Sequence, residues 1–339
     1  MQGIVLTASA EFLEAAKQEV LEVFPASKLE NLGDSVFWLP TETDPAYAQK
    51  QLLMRPPIFV HHMHAAARWP VHTEEEIIQS VRERLLADLP RVPPGAKVAT
   101  QGRVIDKAIA WQPRQLKEMC DELLLAHGYQ PQIKGPEWVI SVTQAGPMVY
   151  YGLALARDNL SDWAGGMIHF RKEPGDVSRA KYKLLEAIVR FQLDFPTGGH
   201  ALDLGAAPGG WTQELLARGL RVLAVDTGEL DPRLRGKAGL VFRRANVKDL
   251  RFPAGTQFDV ITSDISWDPF FTVSMINRLV EYLRPGGQVI LTVKLMGRKP
   301  LPTVRRVMAS LDPKLRVQHA QHLFHNRKEI TLHLVRISE

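Results

Sequence analysis

The stretch Leu202-Asp203-Leu204-Gly205-Ala206-Ala207-Pro208-Gly209-Gly210-Trp211 decides the fold. An apolar run, Ala201 to Leu204, stops at a Gly-rich turn, and a helical pattern follows from Trp211 to Ala217. Strand, tight turn and helix in that order aim backbone N–H groups and a helix N-terminus at a ligand. Gly205 and Gly209 can adopt angles that a side chain forbids, and they would let a ligand come close. The spacing Asp-x-Gly-x-x-x-Gly departs from the dinucleotide fingerprint Gly-x-Gly-x-x-Gly. It shows no phosphate cradle, and its leading acid suits a cationic amino-acid ligand better than a pyrophosphate.

Outward from this stretch, strands and helices alternate. The pattern predicts a helix over 179–191 and strands over 201–204, 220–225, 240–243, 258–263 and 288–294. Helices are expected over 211–217, 269–283 and 301–310, with a turn at Arg284-Pro285-Gly286-Gly287. The last two strands, 316–323 and 329–335, flank His325-Asn326-Arg327 and read as an antiparallel edge hairpin. This order predicts an α/β, doubly wound, mostly parallel sheet, whose ligand lies beyond the carboxyl ends of the strands.

The part before it reads as α+β. Strands are expected at 3–7, 35–39, 96–101, 138–143 and 148–156, with Gln144-Ala145-Gly146 as a turn, and helices at 10–23, 74–87 and 113–127. The polar stretch 158–177, with Gly165-Gly166 and Pro174-Gly175, reads as a linker. His61, His62 and His64 lie close together, but a strand would split them between two faces and no carboxylate is near, so no metal site is expected. Cys120 falls on the apolar face of its helix and reads as buried; as the only cysteine it excludes a disulfide framework.

The 339 residues suffice for two domains. The N-terminus lacks a basic leader pattern, and no run of about 18 apolar residues occurs, so a cytoplasmic protein without a membrane span is expected. Charge is uneven. Residues 1–150 hold 14 Lys+Arg against 18 Asp+Glu, and residues 151–339 hold 28 against 19. A basic C-terminal part fits a polyanionic partner, or an ordinary basic surface.

The strand-end rule selects the chemistry. Asp203, Asp226 and Asp264 end three strands, and Lys294 ends Val289-Ile290-Leu291-Thr292-Val293. Strand-end acids often cap the next helix. A lysine closing an apolar strand must point into a cleft or snorkel out. Lys183, in Ser178-Arg179-Ala180-Lys181-Tyr182-Lys183-Leu184, and Glu329, at the start of the last strand, complete the set by position.

The order Lys183, Asp264, Lys294, Glu329 resembles the Lys-Asp-Lys-Glu tetrad of the FtsJ/RrmJ-like RNA ribose 2′-O-methyltransferases. The likeness also covers the 202–211 loop, Ser263-Asp264-Ile265-Ser266, Val293-Lys294-Leu295 and Arg327-Lys328-Glu329-Ile330. Tyr150-Tyr151-Gly152, Asn159-Leu160-Ser161 and His325-Asn326-Arg327-Lys328-Glu329 extend it to the RlmM-type subfamily. Two departures are Ala207, where that subfamily often has Cys, and Asn246, where an acid is common.

The resemblance implies a small α/β region (1–50), a THUMP-like RNA-binding domain (51–157), the linker (158–177) and a Rossmann-like methyltransferase domain (178–339). It implies S-adenosylmethionine as cofactor, held by Ser178, Asp203, Gly205, Ala207, Pro208, Gly209, Gly210, Trp211, Asp226, Asn246 and Asp264. Lys183, Asp264, Lys294 and Glu329 would be catalytic, with Lys294 as base or as cation for the forming alkoxide. Arg171, Lys172, Arg179, Lys181, Arg298 and Lys299 would meet RNA, a cytidine of large-subunit rRNA or of an assembly precursor being the implied target. Neither DNA nor membrane is an expected partner, and oligomeric state is not legible. A small-molecule O-methyltransferase needs neither the tetrad nor an added domain. A non-catalytic RNA-binding relic predicts a damaged tetrad. A methyltransferase acting on another rRNA site, tRNA or a cap shares the tetrad, though no extra aromatic pair for a cap base is evident.

Overall fold

The computed structural model describes residues 1–33, 35–295, 297 and 299–338. They form two compact units, Met1–Ile168 and His169–Glu339. The division falls inside the stretch expected as a linker.

The first unit contains β1 (Gln2–Ala8), α1 (Leu13–Val23), β2 (Glu30–Gly33), β3 (Val36–Pro40), α2 (Pro45–Met54), β4 (Val60–Pro70) and α3 (Glu74–Asp88). It continues with β5 (Lys97–Val104), α4 (Pro113–Ala126), β6 (Gln130–Pro131), β7 (Trp138–Ala145) and β8 (Met148–Leu155). The eight strands share one sheet in the order β2-β3-β1-β4-β8-β7-β5-β6. β4 joins its halves: Val60 to Ala67 pair with β1, and Ala67 to Pro70 pair with β8. The region expected as separate (1–50) therefore shares a sheet with the expected THUMP-like domain (51–157). The β7–β8 turn is Gly146-Pro147, one residue later than expected, because Ala145 still pairs with Met148.

Local chemistry sets the helix starts. Thr73 accepts from the Glu76 N–H while the Glu76 carboxylate accepts from the His72 N–H, closing the first turn of α3. Asp44 accepts from the Ala46 N–H ahead of Pro45, which starts α2. Cys120 is fully buried, and burial pushes its thiol up to about 12. His62 and His64 are buried in β4 with ring centroids 5.7 Å apart. Among the described residues, no group of three or more His, Cys, Asp or Glu side chains is placed to hold a metal ion. No described helix is long and apolar enough to cross a membrane.

The second unit contains α5 (Lys181–Phe191), β9 (His200–Leu204), α6 (Gly210–Ala217), β10 (Arg221–Asp226), β11 (Leu240–Arg244) and β12 (Phe258–Ser263). After these come α7 (Pro269–Leu279), β13 (Leu283–Lys294), α8 (Pro300–Ala309), β14 (Leu315–Gln321) and β15 (Glu329–Arg336). The sheet order is β11-β10-β9-β12-β13-β15-β14. The first five strands are mutually parallel, and β15 runs antiparallel to both neighbours. The expected Rossmann-like sheet with an edge hairpin is thus present. The expected turn at 284–287 lies within β13, as an irregularity in its register with β12. Leu184, Ala187, Phe191, Trp211 and Leu215 of α5 and α6 bury against Ala201, Ala224, Val260 and Ile290 of the strands. Strand order reverses between β9 and β12, which makes a cleft at their carboxyl ends the ligand position.

Candidate active site

At that reversal the loop after β9 is held tightly. The Gly205 and Ala206 N–H groups donate to the Val225 carbonyl at 2.9 and 3.2 Å, and the Ala207 N–H donates to Asp226 Oδ2 at 2.9 Å. Gly209 starts α6 at φ 118° and has no side chain to cap the first turn, which leaves that helix end to an acceptor from outside. Gly205 and Gly209 are required for a second reason. A Cβ on them would lie 2.5 Å from Ile265 Cγ1 and 2.2 Å from Leu234 Cδ1. The Cβ direction at each of these glycines is filled by a neighbouring side chain, so each also lets the loop pack against the protein. At Gly210 a Cβ would meet Ser178 Oγ at 2.3 Å, and that buried hydroxyl has no hydrogen-bond partner.

Other expected cofactor residues divide by what they touch. Asp226 also accepts from the Gly228 N–H at 2.7 Å, and each carboxylate oxygen keeps a lone pair. Asn246 accepts from the Lys248 N–H through Oδ1, which leaves its amide donors. Two expectations change. Asp203 is 1% exposed, and its oxygens accept from Thr212 Oγ1 (2.6 Å) and Thr262 Oγ1 (2.8 Å). Burial lifts its carboxyl to about 6 against those two hydroxyls. It braces β9 against α6 and β12. The Trp211 ring is core, its Nε1 donating to the Ala180 carbonyl at 2.8 Å.

Lys183, Asp264, Lys294 and Glu329 come together from α5, the end of β12, the end of β13 and the start of β15. Lys294 and Glu329 are register partners across the β13–β15 ladder. Lys183 Nζ lies 3.1 and 3.2 Å from the Asp264 oxygens and 2.8 Å from Glu329 Oε1. Lys294 Nζ lies 2.8 Å from Asp264 Oδ1 and 3.8 Å from Glu329 Oε2. Cations and carboxylates therefore alternate, in a largely buried setting. Thr292, on the Lys294 face of β13, donates to Asp264 Oδ1 at 2.7 Å. Burial opposes the charged forms, but the Asp264 charge and the Glu329 hydrogen bond hold Lys183 above the ordinary lysine value. Burial raises Asp264, but the charges of Lys294 and Lys183 outweigh it and hold this acid below its ordinary value. The arrangement has two fixed ammonium groups, one of which spends fewer donors. Lys183 serves two carboxylates, whereas Lys294 donates one hydrogen bond.

The expected RNA-facing residues separate as well. Arg171, Lys172, Arg179 and Lys299 are exposed. Lys181 is not: its ammonium is 2.5 Å from Asp176 and 3.9 Å from Glu214, and the side chain is mostly buried. It is a structural ion pair, which corrects the expectation. Arg298 lies outside the described residues.

Residues 177–307, within the C-terminal unit, match the family described as FtsJ-like methyltransferase. More particularly, the chain is similar to proteins named ribosomal RNA large subunit methyltransferase M. The one from Halorhodospira halophila is 35% identical over 182 residues, 52% of each chain. That from Dickeya chrysanthemi is 32% identical over 207 residues, 56% of this chain and 54% of the other. The chain spans about half the length of these relatives. Among solved structures, TrmN from Thermus thermophilus is similar at a TM-score of 0.41 and 17% identity, covering 99% of this chain and 100% of that one.

Proposed function

We propose that this protein transfers a methyl group from S-adenosylmethionine to a ribose 2′-hydroxyl of RNA, at a cytidine of large-subunit rRNA. The observation that carries the reading is the alternating network of Lys183, Asp264, Lys294 and Glu329 at the carboxyl-end rim of the sheet. The likeness to proteins named for large-subunit rRNA supports the choice of RNA. A THUMP-like RNA-binding role for 51–157, behind the small region 1–50, belongs to the same proposal.

The residues at the switch point fit the cofactor. The Ser178 hydroxyl without a hydrogen-bond partner, the uncapped start of α6 and the acid at the end of β10 are polar groups around the 205–210 loop that suit such a ligand. Ser178 and the 209–210 amides would hold its amino-acid end, Asp226 its ribose and Asn246 its adenine edge. When bound, the cofactor supplies an electrophilic methyl group on a sulfonium.

A ribose hydroxyl is a poor nucleophile at neutral pH, so the rate rests on alignment and on stabilising the forming alkoxide. Lys294 has donors left for that oxygen. Lys183, held charged, is a second fixed cation rather than a base. Asp264 and Glu329 orient both ammoniums and keep the site neutral before substrate enters. Exposed Arg171, Lys172, Arg179 and Lys299 would hold phosphates.

The test uses radiolabelled S-adenosylmethionine and rRNA from a strain lacking its own copy of the enzyme, with Lys294→Ala as control. Label is expected on one ribose 2′-oxygen of large-subunit rRNA. The variant is expected to lose transfer and keep cofactor affinity. Full turnover by Lys294→Ala sinks the assignment, and absence of cofactor binding by the wild type returns the 205–210 loop to an ordinary turn.

A further inference from the structure

Three residues beyond Lys183 on α5, Glu186 is 1% exposed and points the same way from the helix. Burying a carboxylate costs several kcal/mol unless its lone pairs are matched by donors. Here they are. Glu186 Oε1 accepts from the Phe324 N–H, and Oε2 accepts from the His325 N–H and the His325 ring Nδ1, all at 2.8 Å. The His325 ring is flanked by Phe170 and by Tyr182, the neighbour of Lys183, with centroids 5.4 and 5.7 Å away.

These partners lie in the loop joining β14 to β15, and that loop ends at Glu329. Its remaining bonds fix its shape. Asn326 Oδ1 accepts from the Leu323 N–H (2.8 Å) and from Thr331 Oγ1 (3.1 Å). The Lys328 carbonyl accepts from the N–H of Leu295, the residue after Lys294, at 2.9 Å. One helix thus touches Glu329 twice, directly through Lys183 and through the loop that Glu186 grips.

We infer that Glu186 is a positioning residue for methyl transfer: by clamping the 322–328 loop to α5 it fixes where Glu329 meets Lys183. The inference rests on the proposed activity. Glu186 touches neither substrate nor cofactor in this reading. It acts through Glu329.

The test is a double-mutant cycle of Glu186→Gln and Glu329→Gln, read in single-turnover methyl transfer and in cofactor affinity. The glutamine keeps the shape but turns an NH2 group toward a loop N–H. Glu186→Gln is expected to slow transfer about tenfold with cofactor affinity unchanged, and to slow it less than about twofold when Glu329 is already Gln. A second readout needs no turnover. Loosening Glu329 removes one of the groups that hold Lys183 protonated, so the Lys183 titration, followed by NMR of the labelled side chain, is expected to move down in Glu186→Gln, and in the double variant to move no further than in Glu329→Gln alone. Effects that multiply, with Lys183 unmoved, overturn the inference. A wild type that fails to methylate rRNA while Lys183 shifts as stated overturns the proposed activity and leaves the positioning role standing. If Glu186→Gln does not fold, His325→Ala removes one of the three donors and is carried through the same cycle. Full additivity there overturns the inference equally.

Discussion

Replacing Asp264 by Asn should damage stability and activity separately, and a second change should repair only the first. Asp264 accepts from Lys294 at 2.8 Å, from Lys183 at 3.1 and 3.2 Å, and from Thr292. At an effective dielectric constant of about 20, each ammonium at such a distance attracts the carboxylate by about 5 kcal/mol. Desolvation of the three charges offsets much of this, and removing one member of a buried ion pair costs about 3–5 kcal/mol net. Asp264→Asn leaves two ammoniums facing Glu329 alone. The melting transition of the second unit should fall by about 6–20 °C, at about 2–4 °C per kcal/mol for a unit of this size.

Adding Lys183→Met restores neutrality, leaving Lys294 with Glu329. The double variant should regain more than half of the lost stability and none of the lost transfer. The transition belonging to this unit is recognised by its rise with S-adenosylhomocysteine, followed by calorimetry. Methyl transfer is measured on rRNA. If Asp264→Asn melts with the wild type, or if the double variant melts below the single one, the network is not the electrostatic unit argued here.

Stability of the first unit should also depend on pH. Burial lowers His64 from 6.5 to about 4. Between those values the unfolded chain binds the proton and the folded one does not, so stability is full above 6.5 and is lost as the pH falls toward 4, by about 3 kcal/mol. His64→Leu should flatten that slope in urea titrations. Arg179→Ala should weaken RNA binding and reduce the salt slope by about 1, while Lys181→Ala leaves the slope unchanged and lowers the melting temperature. Gly209→Ala, at φ 118° and facing Leu234, should lower cofactor affinity at least about tenfold in isothermal titration, because the start of α6 must shift.

Much of the second unit was legible because parallel strands buried on both faces read as apolar runs, and their polar ends mark the rim. Asp264 and Lys294 were legible for the same reason, at strand ends, whereas Lys183 and Glu329, ordinary charges in their local strings, were joined to them through the family resemblance. What failed was rotation about an axis. Lys181 and Lys183 share one string, yet two residues turn a helix by about 200°, so one ammonium meets Asp264 and the other Asp176. Thr292 could have been found, since period-two alternation puts it on the Lys294 face. Glu186 could not, because its partners are mostly backbone N–H groups of a loop 138 residues away, which carry no side-chain signal. In the first unit, α2 and β2 escaped notice for different reasons: the apolar residues of α2 are not confined to one face, Tyr47 and Met54 being exposed while Gln49 is buried, and β2 is four residues long and largely polar.

The antiparallel edge is what allows the tetrad to close. A parallel strand beside β13 would bring only its carboxyl end to the rim, and the residue there would be followed by a loop leading away. β15 runs the other way, so it begins at the rim, with its first residue, Glu329, opposite the last residue of β13, Lys294. The β14–β15 loop then lies at the same rim, within reach of α5. A register slip of two residues would keep every side chain on its proper face. It would still carry Glu329 about 7 Å along the strand, out of reach of both lysines. The alternation of faces alone does not forbid such a slip. The loop bonds to Glu186 and Leu295 do, because they hold 324, 325 and 328 at fixed points on α5 and β13. The buried acid that looks like a structural expense is, on this argument, part of what sets the distance between a lysine and its carboxylate at the reacting centre.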